Sequence, residues 1–242
     1  MRHIPNFITS LNIASGFIAI IFAANGDLVT ASWLILAAMI FDFLDGFSAR
    51  MLKAYSAIGK ELDSLADVVS FGVAPGFIIY KLISDSLEIA FISSSGSPGF
   101  LIMLVLFIPV IMPVFAALRL AIFNTDESQS TSFRGIPTPA NALAVITLVI
   151  ASEYTDIRVI ESFLASPVAL NGLVIALSLL MVSRLPMLSL KTSHLRFRGN
   201  EGRYLMVFLI ILALALLGFG AISLIIPVYI FASLVSAAFI KK

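Results

Sequence analysis

The sequence predicts an all-α, polytopic bundle of about eight membrane-spanning helices, and three observations carry that expectation. Hydrophobic residues make up 60% of the 242 positions and charged residues only 12%, about half the charged share of a soluble domain. Apolar runs of roughly 17 to 25 residues, long enough to cross a bilayer core at 1.5 Å per residue, recur along the whole chain. Lysine and arginine are sorted: the N-terminus, the second, fourth and sixth connections and the C-terminus hold all but two of the fifteen.

The expected spans are Phe7–Ala24, Leu28–Met51, Glu61–Ser84, Phe100–Phe123, Ala140–Ser152, Ala165–Val182, Tyr204–Phe219 and Ala221–Ile240. In the first, Arg2 followed by an apolar run and Ala23-Ala24 has the outline of a cleaved leader. Polar Asn6, Thr9, Ser10 and Asn12 interrupt what would be its apolar core, and they read better as residues facing a site. The second span ends in acidic and small residues, and the third begins with two more acids and then carries Gly72, Pro75 and Gly76. That last trio fits either a kink that opens a cavity or a packing face for a neighbouring helix. Between the third and fourth spans, the Ser- and Gly-rich stretch from Ser93 to Pro98 reads as an extracytoplasmic loop.

By the positive-inside rule, the charge asymmetry puts both termini on the cytoplasmic side, in agreement with an even number of spans. Only Lys81 and Arg158 fall on the other side, with Asp85, Glu88, Glu153, Asp156 and Glu161. Arg184, Lys191, Arg196, Arg198 and Arg203 form a basic loop that meets anionic head groups. No basic domain or aromatic platform outside the bilayer suits nucleic acid. Residues 1–242 read as a single domain with its core motif at 42–67.

There are no cysteines, and the two histidines, His3 and His194, lie at the N-terminus and in the basic loop. Thiolate chemistry, a Ser-His-Asp triad and a histidine-rich zinc site are thereby excluded. A metal site here must use oxygen ligands, which favours magnesium, manganese or calcium.

Asp42 and Asp45, three apart, share one face near the end of the second helix; Asp63 and Asp67, four apart, share one near the start of the third. The two helices run antiparallel through a short connection, so these faces can meet at one depth. An ionised Asp inside a membrane costs roughly 2.5–3.5 kcal/mol, and four together repel one another unless a cation lies between them. Gly46 and Ala49 are small enough to let a ligand approach the backbone, although small residues equally serve helix packing.

The pattern Asp42-x2-Asp45-Gly46-x2-Ala49-Arg50-x8-Gly59-x3-Asp63-x3-Asp67 resembles the full motif of the CDP-alcohol phosphotransferase family, with no fixed position missing. The stretch from Gly59 to Pro75, together with Arg119-Leu-Ala-Ile-Phe-Asn124 and Phe133-Arg-Gly-Ile-Pro-Thr-Pro-Ala140, is similar to the phosphatidylserine synthase branch. The start of the first helix, Ile4 to Asn12, also resembles the family. In that branch the Arg119 segment more often ends Arg-Leu-Ala-Arg-Phe-Asn, so Ile122 is a departure that removes one phosphate-binding cation.

The resemblance implies transfer of a phosphatidyl group from CDP-diacylglycerol to L-serine, releasing CMP, in a homodimer set among membrane lipids. It implies one or two Mg2+ or Mn2+ ions on Asp42, Asp45, Asp63 and Asp67, with Asp67 as the catalytic base. It further implies CDP binding by Asn6, Asp45, Gly46, Ala49, Arg50, Gly59 and Asp63. Ser70, Arg119, Asn124 and Arg134 are the expected acceptor or phosphate residues. Two readings compete: another family member acting on glycerol 3-phosphate, inositol phosphate or an ether lipid, and an ion transporter. Against the transporter, the acids gather near one face and no inverted repeat is visible.

Overall fold

The computed structural model describes residues 3–92, 99–125, 134–188 and 200–240, and within them the chain is helical from end to end. The expected loop from Ser93 to Pro98, Phe133, His194 and the basic positions Lys191, Arg196 and Arg198 lie outside the described residues.

Helices α1 (His3–Ala24) and α2 (Leu28–Met51) form a hairpin. Its turn uses Gly26 with φ 88°, and Asp27 caps α2 by accepting from the Thr30 amide at 2.9 Å. That cap holds the Asp27 carboxyl below its usual range. Small buried residues, Ala19 and Ala23 on α1 and Ala31 and Ala38 on α2, let the two helices close on each other, and Ser15 Oγ donates to the Leu34 carbonyl at 2.7 Å.

A tight connection with Lys53 in the left-handed region leads to α3 (Ala57–Asp67), which Ser56 caps through the Gly59 amide at 2.9 Å. Directly after Asp67 the backbone widens into a π-turn, Val68–Val73, before continuing as α4 (Ala74–Ile92). Such turns are uncommon and gather at functional sites.

Next come α5 (Phe100–Phe107), broken from α6 (Ile111–Thr125) by a 3-10 turn at Pro109, then α7 (Thr138–Tyr154). The short α8 (Arg158–Leu164) bends by 83° into α9 (Pro167–Val182). Finally α10 (Glu201–Leu217) and α11 (Ile225–Ile240) flank a turn that opens on Gly218, φ 55°.

Helix occupies all eight expected segments, with α8 added. Among the described residues, five stretches have the length and apolarity to cross a membrane, and the bent α8–α9 pair makes six. The last of the five, Glu201–Ala238, is not one rod: a Cβ built on Gly202 would lie 2.7 Å from the Cβ of Ser236, so α10 and α11 run antiparallel. A 38-residue rod would also be about 57 Å long, nearly twice a bilayer core.

The core between α1, α2, α4 and α7 is built on Phe71, Ile35, Ile78, Ile79 and Ile146. Gly72 and Gly76 face α6 and the break before it: Cβ atoms there would lie 2.9 Å from the Ala116 Cβ and 3.2 Å from the Pro109 carbonyl oxygen. They form a packing face within the chain, and Gly76 also lines an apolar pocket of about 320 Å3 with Phe77, Tyr80, Phe107 and Pro109.

Gly16 on α1 is tighter still. A Cβ there would collide with Ser70 Oγ and sit 2.8 Å from the Ser70 Cα, a backbone atom that cannot yield. Gly16→Ala is expected to destabilise the protein by about 1–3 kcal/mol, the usual cost of overpacking, and to lower the thermal unfolding midpoint in detergent. An unchanged midpoint would contradict the close approach of α1 and the π-turn.

Candidate functional site

Asp45 lies six residues before the end of α2 and Asp63 six residues after the start of α3, each about 9 Å along its helix axis from the shared connection. The acids therefore meet at one level. One carboxylate oxygen from each of Asp42, Asp63 and Asp67 lies within 4.8 Å of the other two. Asp67 is buried, and Asp42 and Asp63 are half-buried.

Asp45 stands beside this trio, and its Oδ2 accepts from the Thr9 hydroxyl at 2.6 Å. The expected four-carboxylate ligand set thus resolves into three gathered acids and a fourth tethered to α1. Asn12, fully buried on α1, has its side chain beside Asp67.

Two like charges 4 to 5 Å apart repel by roughly 3–4 kcal/mol even at an effective dielectric of 20. No lysine or arginine forms an ion pair with these acids among the described residues, where the recorded pair is Lys81 with Asp85 on α4. Asp63 Oδ1 and Asp67 Oδ1 are buried without a hydrogen-bond partner. Orphaned hard-oxygen donors converging at this spacing fit a divalent cation, and Asp42, Asp63 and Asp67 are the residues that would hold it.

A cavity of about 580 Å3 opens beside the acids, and Asn6, Thr9, Asp45, Gly46, Ala49, Arg50, Gly59, Lys60 and Asp63 line it with Tyr55 and Ser56 of the connection. All seven residues expected to bind the nucleotide are among them. At Gly46 an added Cβ would meet only the Arg50 guanidinium, at 3.6 Å, so no neighbouring helix accounts for its smallness. At Gly59 it would meet Ser56 Oγ at 2.9 Å and Asn6 Oδ1 at 3.0 Å, which closes the cavity wall between α1 and α3. Tyr55 and Ser56 were not foreseen, though the Ser56-x2-Gly59 spacing is a legible helix cap.

The expected acceptor residues sit elsewhere. Ser70 is buried and donates to the Asn12 carbonyl at 3.0 Å, which ties the π-turn to α1. Asn124 Nδ2 donates to Ser64 Oγ at 2.8 Å and its carbonyl accepts from Lys60 Nζ at 3.3 Å, so it holds α6 against α3. Arg119, 6% exposed, donates from Nη1 to the carbonyls of Met181 at 2.7 Å and Arg134 at 2.9 Å. The first of these is a carbonyl in the last turn of α9, where the helix supplies no further donors, and Gly135, φ 70°, packs on the same helix end. None of these three lines the cavity; Arg134 keeps an exposed side chain.

These contacts gather the α2–α3 connection, the start of α1, the ends of α6 and α9 and the described residues 134–137 and 183–185 at one end, with Arg50, Lys53, Lys60, Arg134 and Arg184. Asp27 and Glu153 line a separate pocket at the other end.

Fold and site together define a polytopic membrane protein with three gathered carboxylates of a kind that could bind a metal ion, beside a cavity of about 580 Å3 at its basic end. The match to known families is consistent with that class: the model for CDP-alcohol phosphatidyltransferase covers residues 2–232. The chain belongs to this family.

Among curated relatives, it is 35% identical to the CDP-diacylglycerol–serine O-phosphatidyltransferase of Helicobacter pylori (strain J99) over 75% of this chain and 70% of that protein. It is 34% identical to the enzyme of the same name from Bacillus subtilis over 76% and 89%. To the archaetidylserine synthase of Methanothermobacter thermautotrophicus it is 30% identical over 74% and 67%. The aligned part spans 56% of the enzyme of that name from Helicobacter pylori (strain ATCC 700392 / 26695) and 60% of that from Mycobacterium leprae.

Proposed function

We propose that this protein transfers a phosphatidyl group from CDP-diacylglycerol to L-serine, giving phosphatidylserine and CMP. The observation that carries the reading is the convergence of Asp42, Asp63 and Asp67 beside a cavity floored by Gly46, in a family member whose relatives bear that activity in their names.

Arg50 and Lys60 supply positive charge along the cavity for the donor's diphosphate, and Gly46 and Ala49 admit the flat base against the helix backbone. A bound Mg2+ or Mn2+, one or two ions, would neutralise the diphosphate and so ease attack on phosphorus. Asp67, the most buried of the trio, takes the proton from the serine hydroxyl. The hydroxyl oxygen bonds to the lipid-side phosphorus, the bond from that phosphorus to the CMP oxygen breaks, and CMP leaves. No covalent enzyme intermediate is needed.

Both termini and the cavity lie on the cytoplasmic side in this reading, which the basic residues gathered at the cavity end support, and an even number of crossings, eight when α10 and α11 are counted separately and α7 is included, agrees with it. A homodimer belongs to the same proposal and is supported by the family resemblance. Arg134, exposed at the cavity end, is the remaining candidate for gripping a phosphate or the serine carboxylate.

The test is CMP release by detergent-solubilised protein given CDP-diacylglycerol and a panel of alcohols. L-serine should raise release at least tenfold above glycerol 3-phosphate or inositol. If glycerol 3-phosphate is the better acceptor, the serine reading fails and the family stands.

A further inference from the structure

Three consecutive residues of the π-turn each meet a different helix. Ser70 is tied to α1 and Gly72 is pressed on α6, as described above. Between them, the Phe71 carbonyl accepts from Asn141 Nδ2 on α7 at 3.3 Å.

That middle contact has a cause in the sequence. The last bond of the π-turn runs five residues back, from the Ala74 amide to the Val69 carbonyl, and Pro75, which has no N–H, cannot resume the four-residue helical pattern at the Phe71 carbonyl. Inside a membrane bundle such a carbonyl has no water to turn to. Asn141, fully buried, supplies the missing donor.

The same device recurs away from the acids. Pro109 leaves the carbonyl of Val105 without its donor, and Asn171 Nδ2 on α9 donates to it at 3.0 Å. In both amides the oxygen is buried without a hydrogen-bond partner, so the bond to the orphaned carbonyl is what each side chain contributes.

Only the first device bears on the carboxylates, because it sits on the wide turn directly after Asp67. One extra residue in a helix re-aims what precedes it by about 100°, the rotation per residue at 3.6 residues per turn. Relaxed into regular α-helix, this stretch would turn Asp63 and Asp67 away from Asp42 while α4 kept its packing.

We propose that Asn141 is a positioning residue for the carboxylate site, holding through the Phe71 carbonyl the π-turn that aims Asp63 and Asp67 at Asp42. The inference rests on reading those carboxylates as a cation site. Asn171 performs the same local duty where no acid depends on it, and so provides an internal control.

The experiment compares Asn141→Leu with Asn171→Leu, each nearly isosteric, in the full-length protein. Three quantities are read: the unfolding midpoint, Mn2+ affinity without lipid substrate, and kcat and KM for CMP release. Both variants should lose a similar amount of thermal stability. Asn141→Leu alone should weaken Mn2+ binding about tenfold and lower kcat at least tenfold, with KM for the donor changed less than threefold.

Pro75→Ala restores a backbone N–H, so the Pro75→Ala/Asn141→Leu double variant should regain most of the Mn2+ affinity. Equal losses of Mn2+ affinity in the two single variants, or no recovery in the double variant, would overturn the proposal. Should Asn141→Leu fail to fold, the double variant carries the test alone: recovered fold and Mn2+ affinity support it, and failure to recover them overturns it. If the unaltered protein binds Mn2+ yet releases no CMP, the proposed reaction falls while the Mn2+ comparison still decides the role of Asn141.

Discussion

Asp67→Asn is expected to lower the rate of CMP release by about 10³-fold, within the range a positioned base contributes. Asparagine keeps the shape of the side chain and loses both its charge and its basicity. Because Asp67 is one of three gathered carboxylates, Mn2+ binding should weaken several-fold without disappearing, Asp42 and Asp63 remaining in place. Asp42→Asn and Asp63→Asn should lose metal and turnover together. Asp45→Asn should behave differently, since Asp45 is tethered to Thr9 and lines the cavity: its first effect is expected on donor KM. Retention of most of the rate by Asp67→Asn would remove it as the base.

Chelation should have an effect of similar size. With excess EDTA, CMP release is expected to fall at least a hundredfold and to return when Mg2+ or Mn2+ is added beyond the chelator. The unfolding midpoint should fall with it, because a ligand at 100 times its Kd stabilises the folded state by about 2.7 kcal/mol and the freed carboxylates repel one another. Full activity in excess chelator contradicts a metal-dependent mechanism.

The acids were legible in the sequence because helical periodicity alone brings residues three and four apart to one face, and a short connection sets two such faces opposite. The small size of Gly46 beside them and the order of the helices were legible in the same local way, whereas Gly59 entered with the family resemblance. Contacts made across the bundle left no comparable trace. The resemblance makes Ser70, Arg119 and Asn124 expected ligand residues, yet each satisfies or bridges backbone and side-chain groups of distant helices. That Pro75 and Pro109 must orphan carbonyls can be read from the sequence; which asparagines answer them cannot, because Asn141 and Asn171 lie more than sixty residues away. The α8 bend was missed because seven residues are too few to show a period.

The connection between α2 and α3 bears on how the protein meets its donor. Around the cavity mouth Met51, Tyr55 and Ile58 are 68 to 74% exposed, and tyrosine favours the level where head groups meet hydrocarbon. A mouth at that level takes a diphosphate head while both acyl tails stay among neighbouring lipids. Pulling those tails into water would cost about 0.8 kcal/mol per CH2, and the geometry avoids that step. The concentration that governs turnover is then two-dimensional: velocity should track the mole fraction of donor in the bilayer or micelle. Diluting the donor with inert lipid at constant bulk amount should slow the reaction, whereas diluting the whole suspension should leave the donor's saturation unchanged.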